Sequence, residues 1–179
     1  MSDVELMANI QKDDKVAFRM LFDKYYKLLL GTAINILKDP DSGKDAVQEV
    51  FIQLWKNRGK IVINTSMENY LKRAVINRSL NQVKFRKQFE EEPDENMSSS
   101  PVTASDHMEA KELEHTIEKA METIPEKSRL VYILRRQEGL SLKEIAEKMN
   151  ISPKTVENQL TKALKILKDA VKPYLEKDG

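Results

Sequence analysis

The sequence contains no cysteine, which excludes disulfide staples and thiolate metal sites and suits a reducing compartment. Glycine is scarce, with five in 179 residues, and none forms a phosphate-cradling motif. With neither that motif nor a thiol nucleophile, the usual sequence signs of nucleotide or cysteine chemistry are missing. Long apolar runs are missing too. The longest, residues 28–37, is broken by Gly31, Thr32 and Asn35 and is too short and polar for a membrane span. Asp3 and Glu5 stand where a secretory signal needs positive charge, so a cytoplasmic chain is expected. His107 and His115, the two histidines, are read as surface residues; no metal, cofactor or small-molecule substrate is expected.

What is present is charge, strongly segregated. A formal net charge of +1 hides 16 basic and 10 acidic residues in 1–89, one and nine in 90–114, and 13 and 10 in 115–179. Two basic blocks flank an acidic connector. Apolar residues recur at helical spacing while β alternation is nearly absent, which predicts an all-α protein. One stripe, Phe18, Leu21, Phe22, Tyr25, Leu28, Leu29 and Ile36, ends near Lys38-Asp39-Pro40, where proline forbids continuation. A second begins at Ser42, with Ala46, Val47, Val50, Phe51, Leu54 and Trp55 inward and Asp45, Gln48, Glu49, Gln53 and Asn57 pointing elsewhere. Asn64-Thr65-Ser66 offers caps for a third helix over 67–88.

Residues 90–101 carry acids, serines and two prolines without apolar periodicity and read as a linker. Helical patterning resumes near His107, and Pro125 suits the first position of a helix that Gly139 closes. The expected organisation is two small helical domains, 5–89 and 111–179, joined by a flexible acidic linker over 90–110.

Within the second domain, Leu140-Ser141-Leu142-Lys143-Glu144-Ile145-Ala146-Glu147-Lys148-Met149-Asn150-Ile151-Ser152-Pro153-Lys154-Thr155-Val156 reads as two helices joined by a tight turn. Ser141 and Glu144 form a capping box, Ala146 permits close crossing, and Asn150 tolerates the left-handed turn. Ser152 and Pro153 then restart the chain as cap and first helical residue. This predicts a four-helix, winged-helix-like helix-turn-helix domain. The second helix buries Val156, Leu160, Ala163, Leu164 and Leu167 and leaves Lys154, Glu157, Asn158, Thr161, Lys162 and Lys165 outside. Lysines can meet phosphates, Asn158 can pair bidentately with adenine, and Glu157 can accept from cytosine, so the stripe suits a major groove. Ser152 and Thr155 join it at the helix start.

A second basic surface lies on the helix from Met67. Residues 70–87 hold six positive side chains and no acid, with Arg73, Asn77, Asn81 and Lys84 on one face. Such a face suits phosphates and exposed bases, or is an ordinary solvated charge run.

This order of parts resembles the extracytoplasmic-function branch of bacterial sigma factors over nearly the whole chain. Residues 17–26 are similar to the family's opening helix and 45–55 to its polymerase-binding helix, while 70–87 and 124–167 match its later regions. The resemblance implies a non-enzymatic factor that lends promoter specificity to core RNA polymerase. It places Asp45, Gln48, Glu49, Gln53 and Leu54 on the polymerase and makes residues 59–68 a loop that traps a base flipped from the minus-ten strand. Tyr70, Arg73, Asn77, Arg78, Asn81 and Lys84 would hold that strand, and the recognition helix would read duplex at the minus-thirty-five element. The acidic linker would thread a positively lined channel of the polymerase, or serve as a plain tether. Tyr70 stands where the family often has tryptophan, and Glu157-Asn158-Gln159 replaces a more frequent basic-serine-arginine triplet. The run from Thr155 through Leu160 resembles a sub-branch controlled by membrane-anchored anti-sigma proteins tied to nutrient uptake.

The alternative is a helix-turn-helix regulator of the response-regulator type, which shares the Lys143-Glu144-Ile145-Ala146 and Thr155-Val156-Glu157-Asn158 patterns. It requires strands alternating with helices in the first half.

Overall fold

The computed structural model describes residues 1–89, the last five by backbone alone, and residues 110–176; among them every regular element is a helix. The chain divides into two units, Met1–Glu91 and Glu92–Gly179. The linker expected over 90–110 falls outside the described residues except for Ala110, as does His107.

The first unit contains α1 (Asp3–Gln11), α2 (Lys15–Leu37), α3 (Pro40–Lys56) and α4 (Met67–Phe89). The long α2 packs against the other three, and α3 also packs on α4. Leu6 and Ile10 of α1, Leu21, Leu29 and Ile36 of α2, Val47 and Leu54 of α3, and Leu71, Val75 and Ile76 of α4 meet in one core, each at most 2% exposed. Burying each such side chain contributes roughly 1.5–3 kcal/mol, so packing rather than local propensity holds the bundle. The absence of any strand among the described residues of this unit leaves the receiver domain of the response-regulator alternative without a counterpart.

Three local features explain the helix boundaries. A capping box opens α1, with the Ser2 amide donating to Glu5 Oε2 at 2.7 Å and the Glu5 amide to Ser2 Oγ at 3.2 Å. Asp3 accepts from Tyr25 Oη at 2.5 Å and Lys24 Nζ at 2.7 Å, tying α1 to α2. Burial alone raises the Asp3 carboxyl, but these two donors outweigh it and hold the group below its usual range; burial and the Asp3 charge push the Tyr25 phenol up. Between α2 and α3, Lys38 turns left-handed at φ 58° and Asp39 caps α3 by accepting from the Ser42 amide at 3.2 Å.

Pro40, read as a stop, is therefore also the start of α3, two residues before the expected Ser42. The first turn of a helix has no N–H partner for proline to remove. Gly43 lets α3 approach α2, since a Cβ there would sit 2.9 Å from Ile34 Cγ1. Farther along the α2/α3 pair, Phe18 meets Trp55 and Phe22 meets Phe51 edge-on at 5.1 and 4.8 Å between ring centroids.

The second unit contains α5 (Ala110–Thr123), α6 (Glu126–Tyr132), α7 (Leu142–Met149) and α8 (Pro153–Leu175), with α8 packed on the other three. Val131, Leu134, Ile145, Val156 and Ala163 are fully buried. It is a four-helix domain in which, among the described residues, no strand supplies a wing. Pro125 stays extended at ψ 142°, so α6 starts one residue later than proposed from sequence. Past Tyr132 the helix widens into a π-type turn, Ile133–Gln137, closed where the Leu140 amide donates to Leu134 O at 2.9 Å. Gly139 reverses the chain at φ +71°, a conformation costly for side chains with a Cβ. Among the described residues, no helix is long and apolar enough to cross a membrane.

Candidate nucleic-acid interface

The helix-turn-helix of the second unit is assembled from local capping. The Glu144 amide donates to Ser141 Oγ at 3.1 Å and the Ser141 amide to Glu144 Oε1 at 3.3 Å, which fixes the start of α7. Asn150 ends it in the left-handed conformation at φ 56°, ψ 48°. Ser152 Oγ accepts the Thr155 amide at 3.1 Å and lies 2.8 Å from Thr155 Oγ1, while Pro153 begins α8. Thr155, half-buried, is thus engaged with the cap.

The outer stripe emerges as expected. Ser152, Lys154, Glu157, Asn158, Thr161, Lys162 and Lys165 are all exposed, and Val156 and Ala163 are buried beneath them. Lys154 pairs with Glu157 at 3.6 Å, and Thr161 Oγ1 returns to the Glu157 carbonyl at 2.9 Å. Leu160, Leu164 and Leu167 are half-buried. Gln159 points inward, its side-chain oxygen accepting from Ser128 Oγ of α6. The surface can therefore offer an amide, a carboxylate and several ammonium groups to a groove edge.

In the first unit, Asp45, Gln48 and Gln53 are exposed on α3 and Glu49 is half-buried. Leu54, expected beside them on the polymerase face, is only 2% exposed and turns toward the core. Gln53 Nε2 donates to Glu49 Oε1 at 3.0 Å, and Asn57 Nδ2 donates to Gln53 Oε1 at 3.4 Å, giving a polar ladder along the helix.

Along α4, Arg73, Asn77, Arg78, Asn81 and Lys84 are exposed and Tyr70 is half-buried. A groove of about 260 Å³ runs between α3 and α4. Its walls take Glu49, Gln53 and Leu54 from the set assigned to polymerase and Tyr70, Arg78 and Asn81 from the set assigned to the strand. Asp45, Gln48, Arg73, Asn77 and Lys84 are not among its lining residues. Two adjacent stripes replace the single one expected, with Tyr70, Ala74, Arg78 and Asn81 bordering the groove.

Val50, Asn57 and Ile61 complete the lining; Asn57 was not among the residues assigned to the site from sequence, and Ile61 entered only as part of the 59–68 loop. Asn57 continues the four-residue spacing of Glu49 and Gln53, a signal that could have found it; Ile61 carries none. A carboxylate, three amides, a phenol and a guanidinium around an apolar floor can hold a flat polar group by stacking and hydrogen bonds. His115 is exposed on α5, and among the described residues no group of three metal-ligating side chains occurs.

Comparison with known proteins agrees with this geometry. Residues 21–88 match the family described as Sigma-70 region 2, and residues 114–167 match Sigma-70, region 4. The RNA polymerase sigma-H factor of Pseudomonas aeruginosa is 27% identical over 184 residues, covering 97% of this chain and 95% of its own. The ECF RNA polymerase sigma-E factor of Haemophilus influenzae is 24% identical, covering 98% of each. The sigma factor RpoE, solved in complex with the anti-sigma factor NepR from Bartonella quintana, shares the fold at a TM-score of 0.56 and 18% identity, over 87% of this chain and 96% of that one. Two helical units, a capped helix-turn-helix in the second and the two matched regions in the same order place the chain in the extracytoplasmic-function branch of the sigma factors, which direct RNA polymerase to promoters.

Proposed function

We propose that the two units divide promoter recognition between paired and unpaired DNA, without enzymatic chemistry of their own. The proposed division is a domain over 5–89, a connector over 90–110 and a domain over 111–179. Residues Ser152, Lys154, Thr155, Glu157, Asn158, Thr161, Lys162 and Lys165 read the minus-thirty-five duplex through the major groove. Tyr70, Arg78 and Asn81 take an unpaired base of the minus-ten strand into the α3/α4 groove, while Arg73, Asn77 and Lys84 follow its phosphates. Asp45, Gln48, Glu49 and Gln53 dock on core RNA polymerase, with Leu54 backing them from the core.

The chain works in the cytoplasm beside the polymerase and is held inactive by an anti-sigma protein, as the sigma factor solved with NepR is held in a complex. The sequence from Thr155 to Leu160 favours a membrane-anchored partner.

The observation that carries the reading is the groove itself, where an amide ladder on α3 faces a guanidinium and a phenol on α4. Run-off transcription with purified core polymerase, with and without the chain, is the direct test. Start-site preference should appear only with the chain. Asn158→Ala combined with Lys162→Ala should abolish promoter-directed transcripts while polymerase binding survives. Loss of both together would contradict the division of labour.

A further inference from the structure

We propose that Arg58 and Asp13, neither of which lines the α3/α4 groove, are positioning residues that set the shape of the 57–66 loop for taking an unpaired base. The inference rests on the strand-capture reading and adds the device that prepares the site.

No residue of 57–66 is buried, so hydrophobic packing does not fix this loop. Its shape comes from polar tethers. Arg58 Nε and Nη2 both reach Asp13 Oδ1, at 2.6 and 2.5 Å, from the loop entrance to the α1–α2 turn. Nη1 donates to the Trp55 carbonyl at 2.6 Å, and the guanidinium carbon Cζ lies over the Trp55 ring, 4.2 Å from its centroid. An ion pair between two flexible surface side chains contributes little by itself. Here three simultaneous restraints fix a planar cation, which a lysine could not reproduce.

Asp13 sits at φ +67°, a region sparsely populated by residues with a side chain, and keeps its carboxylate in that place. Inside the loop, the Asn57 carbonyl accepts from the Lys60 and Ile61 amides at 2.8 and 3.1 Å, and Gln11 Nε2 reaches the Ile61 carbonyl at 3.4 Å. Asn57 and Ile61 are the two loop residues that line the groove. The tethers therefore act on the backbone that carries the lining, and a site ordered in advance loses less on binding.

The test uses the full chain and two fluorescent single strands of about twelve nucleotides, one of random sequence and one wholly abasic, compared by anisotropy. The wild type should bind the random strand about tenfold or more tightly over the abasic one. Asp13→Gly removes the carboxylate but accepts φ +67° without strain, so the thermal midpoint should hold. Asp13→Gly and Arg58→Ala should each bring the ratio near unity, leave abasic binding unchanged and alter the emission of Trp55, the single tryptophan. The reversed pair, Asp13→Arg with Arg58→Asp, should recover part of the ratio. A ratio unchanged in Asp13→Gly and Arg58→Ala overturns the positioning role while strand capture stands. A wild type that does not distinguish the two strands overturns strand capture itself, and the positioning role with it.

Discussion

The Ser128 hydroxyl of α6 donates to the side-chain oxygen of Gln159 on α8, so one residue of the recognition helix is committed to holding the domain together. Ser128 is 0% exposed. Gln159→Ala should leave it without this acceptor and lower stability by about 1–3 kcal/mol, with little change in promoter choice. Its neighbour Asn158, exposed, should behave in the opposite way. Asn158→Ala should stay within about 0.5 kcal/mol of the parent in thermal melts and change base preference in a selection from randomised duplexes. A stability loss as large as that of Gln159→Ala would place Asn158 in the wrong role.

Two glycines in neighbouring helices should respond differently to alanine. At Gly31 of α2 an added Cβ would meet no atom of a neighbouring element within 4 Å, so Gly31→Ala should gain up to about 1 kcal/mol from helix propensity. At Gly43 the same propensity gain meets an approach of 2.9 Å to Ile34 Cγ1. Overpacking there costs about 1–3 kcal/mol, so Gly43→Ala should be neutral to destabilising. Urea denaturation of both variants checks the pair, and a clear gain at Gly43 would mean that α2 and α3 separate easily.

The Asp3–Tyr25 contact predicts two opposite pH limbs. The depressed Asp3 carboxyl contributes stability that is present above its ordinary 3.8 and lost as pH falls through the lower folded value. The raised Tyr25 phenol contributes stability present below its ordinary 10.0 and lost as pH climbs toward the folded value. Tyr25→Phe should flatten the alkaline limb of the melting-temperature profile, and Asp3→Ala should weaken both limbs. Scanning calorimetry across the pH range would expose an error if Tyr25→Phe still loses stability above pH 10 as steeply as the parent.

Arg73 and Arg78 lie on adjacent stripes of α4, and only Arg78 lines the groove. Neutralising both should impair strand opening more than closed-complex binding, seen as lost permanganate reactivity of thymines. Separately, Arg73→Ala should reduce the salt dependence of single-strand binding by about 0.7 in log–log slope, as for one lost phosphate contact. Normal melting in the double variant would remove α4 from strand capture.

The sequence made the helix-turn-helix legible because its signals are local: Ser141 and Glu144, Asn150, Ser152 and Pro153 each act within a few positions of themselves. Elements defined by distant contacts were harder to see. The short α1 depends on Asp3 meeting Tyr25, 22 positions away, and its own apolar pattern is brief. The groove was invisible because it exists only where α3 and α4 come together, joining Glu49 to Asn81. Periodicity placed Leu54 inward while the family resemblance placed it on the polymerase face, and its burial agrees with the former. Arg58 gave no sign of its tie to Asp13, since a single arginine after a helix has many possible partners.

Eight residues make α7 shorter than the ~12–15 that an isolated helix needs to persist in water, and α8 is seated by its contacts with α5 and α6. A synthetic peptide trimmed to the pair of reading helices would consequently lack the contacts that order α7 and seat α8. On the proposed division of labour, the smallest fragment expected to bind the upstream duplex is the whole second unit, so grafting α8 side chains onto another scaffold would transfer letters without the grammar that presents them.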